Sequence, residues 1–420
     1  MTAQESTPFP NPLRDLHEAA GAEFQPYDRL EIVSTFGEPQ AEYAAMHKGC
    51  ALLDEPQRGV LEFTGRDRHA FLNNLLTNKT WDKDQKTGLV PGTGVYAFLL
   101  NLKGRIVADL NVIEIDHGDR TALEMDVRLV EPLRVLFDRY LFGEQVKMIS
   151  GVGTLHRMTL YGPRAPDVLR EAADVDTGAL PPLGSKTFRF AGSDALVFRD
   201  DATGSPGLHL IVESARATDV WSELVNRFGE SPETAMRRRV WPAGWAAFNA
   251  CRIEAGRPLF GIDFEGAPVA TAYPARKQRE DEAADAAAPG VLPAETGQLT
   301  RAVSFNKGCY LGQEIVARMH ARGQVAKQVV GLRLDDDNLP IAGAPVMDDA
   351  GNSVGVVTSS TISPLLSNHA ICLAFLKKPF AAPNSKVRVP AEGSLRPATV
   401  VELPFVRSGI PTGQPPPATV

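Results

Sequence analysis

Ser304-Phe305-Asn306-Lys307-Gly308-Cys309-Tyr310-Leu311-Gly312-Gln313-Glu314-Ile315-Val316-Ala317-Arg318 changes character in its middle. Residues 307–312 are poor in helix formers, and two glycines flank a thiol, whereas 313–319 is a good helical run, so the stretch reads as a loop feeding a helix. Cys309 then sits just ahead of a helix N-terminus, where unpaired N–H groups and the positive end of the dipole favour an anion. Lys307 adds a cation two residues away, so the thiolate is expected to form more easily than in a free cysteine. Glu314 falls in the first turn, with Arg318 four residues on as its expected pairing partner. The residues alone leave open a plainer reading, in which Cys309 is a small, partly buried apolar residue of a tight loop.

Lys307-Gly308-Cys309-Tyr310 followed by Gly312-Gln313-Glu314 resembles the signature of the YgfZ family, folate-binding proteins related to the glycine-cleavage T-protein and to mitochondrial iron-sulfur assembly factors. In aminomethyltransferases the corresponding stretch is similar to Lys-x-Asp-Phe-Ile-Gly-Arg. Cys309 therefore stands where they carry an acid, and Gln313 where they carry an arginine. The resemblance extends over residues 40–390 and implies an α+β, T-protein-like fold: two interleaved α+β subdomains plus a C-terminal small β-barrel around a central folate channel.

Upstream, two further segments carry it. Residues 95–100 and 105–115 read as a hairpin joined by Asn101-Leu102-Lys103-Gly104. In the second strand Ile106, Ala108, Leu110 and Val112 share one face, while Arg105, Val107, Asp109 and Asn111 share the other. On pattern alone Asp109 belongs to a solvated face. The stretch Gly104-Arg105-Ile106-Val107-Ala108-Asp109-Leu110 is similar to a family segment whose aspartate contacts folate, which implies that role for Asp109. Residues 245–255 read as a helix with Trp245, Phe248, Cys251 and Ala255 along one stripe, most simply a core face. Arg252-Ile253-Glu254-Ala255-Gly256 looks like the family's Arg-Leu-Glu-Ala-Gly segment, so Glu254 inherits a hydrogen bond to the pterin. By the same resemblance Arg252, Tyr310 and Gln313 are folate contacts, and Cys309, Lys307 and Asp109 are the reactive set.

The 420-residue chain is long enough for two or three domains, and its net charge of −7 argues against a surface coated to hold nucleic acid. Cys50, Cys251, Cys309 and Cys372 form no C-x-x-C pair and show no metal-ligand spacing with histidine, so neither a zinc site nor a disulfide framework is indicated. A reducing cytoplasm is the natural setting, and no apolar run approaches the length of a membrane span. The organisation expected is an N-terminal tail over 1–28, a folate-binding α+β region over 29–326 with a charged insertion near 275–289, a barrel over 327–405, and a disordered Pro-rich tail over 406–420. A helix is expected over 41–49, another over 131–142, and five short barrel strands beyond residue 329. The absence of G-x-x-x-x-G-K-[ST], G-x-G-x-x-G and H-E-x-x-H weighs against P-loop, Rossmann and zincin enzymes.

The function implied is a tetrahydrofolate-binding protein supporting assembly or repair of iron-sulfur enzymes, including tRNA-modifying ones. Tetrahydrofolate, or a 5,10-methylene or formyl derivative, is its expected cofactor, with folate and iron-sulfur client enzymes as partners and no direct contact to nucleic acid or membrane. The alternative is a folate-dependent aminomethyltransferase of a glycine-cleavage-like system, which would need Asp109 but not Cys309. A folate-sensing adaptor is a third possibility.

Overall fold

The strand Ile106–Glu114 has the expected alternation, yet all nine of its residues are buried. One face packs Ala108, Leu110 and Val112 into a core with Leu72, Leu75, Leu133 and Phe137, and the other carries Asp109 and Asn111. A strand with both faces covered sits inside a layered structure, so the pattern-only reading of a solvated polar face does not hold. This strand belongs to a five-stranded antiparallel sheet in the order Lys147–Ser150, Arg58–Thr64, Arg120–Asp126, Ile106–Glu114, Gly94–Leu100. The computed structural model describes residues 9–229, 238–273, 290–322 and 325–407; the expected charged insertion and most of the Pro-rich tail lie outside the described residues.

A second sheet has six strands in the order Ser185–Phe190, Ser193–Arg199, Gly207–Glu213, Leu155–Tyr161, Cys50–Asp54, Val240–Ala243, with only the last pair parallel. The chain leaves this sheet after Cys50–Asp54, builds the whole five-stranded sheet, and returns at Leu155–Tyr161, which is the interleaving the resemblance implied. Six strands beyond residue 326 close into a barrel, with Lys327–Leu334 paired both to His369–Lys377 and to Ser394–Val401. Ser394–Val401 was not among the five expected strands. Pro397 in its middle reads as a breaker, but its register partner is Arg388 on one side only, and a proline is tolerated where it need not donate.

Several expected boundaries move for local reasons. The helix expected over 131–142 runs instead from Val127 to Asp138, because the Asp126 carboxylate accepts from the Arg128 N–H at 2.9 Å and caps it early. The N-terminal tail is shorter than expected: Arg14–Ala19 is helical, Glu23–Tyr27 pairs with Leu30–Thr35, and Leu13 and His17 are completely buried, with His17 Nε2 3.0 Å from Asp54. At the other end Val406 donates its N–H to the Glu254 carbonyl at 3.0 Å, so ordered chain extends past the expected barrel limit.

The helix Trp245–Glu254 is the spine that joins these parts. It packs on the helix Pro39–Lys48 and on the barrel strand Ser353–Ser363. Arg252, completely buried, pairs with Asp263, whose other oxygen accepts from Thr358 and Ser359 of the barrel at 2.6 and 2.5 Å. That ion pair fastens the barrel to the α+β region.

Candidate functional site

Asp109 opens onto a cavity of about 80 Å³ walled by both sheets, by Trp245 and Phe248 of the spine helix, and by residues 257–260 and 262 that follow it. Gln57 comes from the turn before the strand Arg58–Thr64 and Arg58 from its first position, Arg157 and Asp200 from the second sheet and its loop, and Arg301 from beyond the insertion. Among the described residues that line it, none belongs to the barrel. The fold thus gathers five distant segments around one aspartate.

The charges in the wall are arranged in pairs. Arg58 grips Glu124 with Nε and Nη2 at 2.5 and 2.9 Å, Arg157 reaches Glu124 and Glu55, and Asp200 is held by Arg301 at 2.8 Å and Arg257 at 3.2 Å. Burial alone would raise these carboxylates, but Arg157 and Arg58 hold Glu124 down to about 2, and Arg301 and Arg257 hold Asp200 well below the usual range. Asp109 differs. Burial pushes its carboxyl upward, Arg58 pulls it only part of the way back, and Glu124 adds to the rise. Tyr96, a phenol kept neutral chiefly by its own burial, donates to Asp109 Oδ2 at 3.1 Å and leaves Oδ1 without a partner.

Oδ1 of Asp109 is not alone. Asn111 Oδ1, Gln57 Oε1 and Arg157 Nε are likewise buried and unpaired, and all four residues line this cavity. An unpaired buried polar atom costs roughly 1–3 kcal/mol, so a set of three acceptors and one donor around one space is matched by a ligand edge rich in N–H donors with a carbonyl beside it. Tyr96, Trp245, Phe248 and Phe260 supply flat apolar faces alongside.

The remaining residues singled out in the sequence lie elsewhere. Arg252 and Glu254 do not line the cavity: Arg252 is fastened to Asp263, and Glu254 accepts from Tyr43, His47 and Ser363 on the opposite side of the spine helix. Cys309 and Tyr310 border a separate, more open cleft of about 470 Å³ with Phe71, Leu75, Leu102 and Tyr140. Cys309 is exposed, and the helix behind it is Gln313–Arg322, as expected. Lys307 does not serve it. Its ammonium donates to the carbonyls of Asn73 at 2.6 Å, Leu76 at 2.5 Å and Asn78 at 3.1 Å, closing the end of the helix Arg68–Leu75, and burial draws its pKa down to about 7. Gln313 turns back to accept from the Tyr310 N–H at 3.1 Å. Gly312, at φ +77°, packs so closely that a Cβ would lie 2.4 Å from the Asn101 carbonyl, docking the loop on the turn of the Asp109 hairpin.

Of the seven residues proposed from sequence, the cavity therefore contains Asp109 alone. Asn111 had a legible signal, since it lies two positions along the same strand face. Gln57, Arg58, Arg157, Arg257 and Arg301 had none, because nothing in their own neighbourhoods marks them for a common site.

Comparison with known proteins adds the following. Residues 13–271 match the GCVT N-terminal domain, and residues 327–407 match the glycine cleavage T-protein C-terminal barrel domain. Similar proteins include an aminomethyltransferase of Chloroherpeton thalassium, 25% identical over 94% of this chain and 98% of its own length. One of Moorella thermoacetica is 27% identical over 94% and 97%, and a probable aminomethyltransferase of Natronomonas pharaonis is 28% identical over 94% and 98%. The crystal structure of the glycine cleavage system aminomethyltransferase T from Bartonella henselae superposes with a TM-score of 0.77 over 94% of this chain and 97% of that one, at 22% identity, which shows a shared fold.

Proposed function

The chain belongs to the glycine cleavage T-protein family, and from that premise we propose that it is a tetrahydrofolate-dependent one-carbon transfer protein of the aminomethyltransferase type, with the pterin held in the Asp109 cavity. The observation that carries this reading is the set of unpaired acceptors, Asp109 Oδ1, Asn111 Oδ1 and Gln57 Oε1, with the unpaired Arg157 Nε beside them. A reduced pterin offers the complementary groups: an amino group and ring N–H donors along one edge, and a carbonyl next to them. Bound there, tetrahydrofolate would supply the nitrogen that accepts the one-carbon unit. Asp109, whose pKa burial raises, suits a group that holds or releases a proton at Oδ1 near the reacting nitrogens, while Tyr96 fixes its other oxygen. The aromatic faces of Trp245 and Phe248 exclude water and orient the ring.

One observation favours a second reading, the thiol-dependent support of iron-sulfur enzymes implied by the Cys309 motif: of the four cysteines only Cys309 is exposed, and it borders a cleft of its own. The two readings separate experimentally. Tetrahydrofolate affinity, and transfer from a lipoyl-bound aminomethyl group, are measured for the parent, Asp109→Ala and Cys309→Ala. Loss of one charge-assisted contact should weaken binding by about ten- to a hundredfold in Asp109→Ala and abolish most transfer, with Cys309→Ala unaffected. Equal affinity in the parent and Asp109→Ala would remove the pterin from this cavity. Transfer absent from the parent, with iron-sulfur enzyme activity in cells restored by the parent but not by Cys309→Ala, would favour the second reading.

A further inference from the structure

Away from both clefts, the spine helix Trp245–Glu254 presents a group of donors to the helix Pro39–Lys48. His47 Nε2 lies 3.0 Å from Glu254 Oε2 and 3.4 Å from Cys251 Sγ. The three donor atoms, an imidazole nitrogen, a thiol sulfur and a carboxylate oxygen, all lie within 4.8 Å of one another. Cys251 and Glu254 are three residues apart, hence on one helix face, and His47 enters from the last turn of the facing helix. Cys251 and Glu254 are buried, while the His47 side chain is 18% exposed and marks the side from which the group can be reached.

The spacing is close to what a tetrahedral ion needs. With zinc–sulfur and zinc–nitrogen bonds of about 2.3 and 2.0–2.1 Å, neighbouring sulfur and nitrogen ligands stand about 3.5 Å apart, and nitrogen and oxygen about 3.3 Å apart. The observed sulfur–nitrogen and nitrogen–oxygen separations of 3.4 and 3.0 Å are close to these values, and the sulfur and carboxylate oxygen, within 4.8 Å of each other, would draw together on an ion. The carboxylate is also already oriented: the Tyr43 hydroxyl lies 2.8 and 2.9 Å from its two oxygens, and Ser363 donates to Oε1. Ligating carboxylates and imidazoles are held by just such outer contacts. A set of one sulfur, one nitrogen and one oxygen suits zinc and disfavours magnesium or calcium, which require oxygen ligands.

We propose that His47, Cys251 and Glu254 bind one Zn²⁺ ion, with water as the fourth ligand. On binding, Cys251 releases its thiol proton to solvent, His47 coordinates through Nε2 with its ring proton on Nδ1, and Glu254 coordinates as the carboxylate. The ion would tie the helix Pro39–Lys48 to the spine helix, whose earlier turns form a wall of the Asp109 cavity. No local sequence pattern announces this site, since His47 lies 204 residues from Cys251.

The test uses the full chain stripped of metal with a chelator and titrated with Co²⁺ as a spectroscopic stand-in. One equivalent should produce a thiolate-to-cobalt charge-transfer band that Zn²⁺ displaces, and Zn²⁺ should raise the melting temperature. The band should vanish in Cys251→Ser, and Zn²⁺ affinity should fall by at least about tenfold to a hundredfold in His47→Gln, a change at a partly exposed residue. The proposal is overturned if the parent shows no band, if the band survives Cys251→Ser and disappears in Cys309→Ser, or if His47→Gln binds Zn²⁺ as tightly as the parent. Should Cys251→Ser fail to fold, the His47→Gln titration decides.

Discussion

The Asp109 cavity and the Cys309 cleft invert the weight that the sequence puts on them. The cleft carries the most recognisable string in the chain, yet Lys307, Gly312 and Gln313 are engaged in capping a helix, docking a loop on a hairpin turn and closing the loop on itself. Around Asp109 the sequence carries a shorter resemblance and a plain strand alternation, yet three buried acceptors and a donor lack partners. A motif reports that residues are required together without saying for what. Unpaired polar atoms in a protected space call for a partner, a ligand or an ordered water, because leaving them unpaired is costly.

The sharpest way to break this contrast is at Arg252, which the resemblance links to folate and the structure links to Asp263. Arg252→Met should destabilise the protein by about 3–5 kcal/mol in urea unfolding, because the Asp263 charge is left buried without its partner. Unchanged stability with weakened tetrahydrofolate binding would return Arg252 to the ligand site. Lys307→Met comes next. Losing the carbonyl contacts at the end of the helix Arg68–Leu75 should cost about 1–3 kcal/mol in the same assay while leaving tetrahydrofolate affinity unchanged; a loss of affinity with stability intact would make the motif lysine a functional cation after all. The smallest effect is a pH dependence at Asp109. Its folded pKa is raised, so its contribution to stability is present in full below the unfolded value of about 3.9 and is lost as pH rises through the folded value. Asp109→Asn should then be more stable than the parent at neutral pH, with the difference shrinking toward pH 4 in parallel unfolding curves. A difference that grows on acidification would mean that the carboxylate is stabilised in place.

Much of the fold was legible. The helix Trp245–Glu254, the Asp109 hairpin and most barrel strands follow from local periodicity and turn residues, which act within a few positions of one another. The misses had local causes with distant effects: Asp126 caps its helix early, Pro397 is accommodated within a barrel strand, and the N-terminal helix is held by burial of Leu13 and His17 against the second sheet. No helix among the described residues is long and apolar enough to cross a membrane.

The sequence by itself determined most of the elements, the family resemblance and the strand face that carries Asp109, because strand alternation and short motifs are read over neighbouring residues. Only the tertiary structure decided which residues share a site. Glu254 sits three residues from Cys251 on a helix whose facing partner supplies His47, and that geometry turned it away from Asp109. Gln57, Asn111 and Arg157 meet Asp109 because two sheets, built from interleaved stretches of chain, close around it. Side-chain direction on a helix or strand is set locally, but what that side chain meets is set by packing, which joins residues hundreds of positions apart.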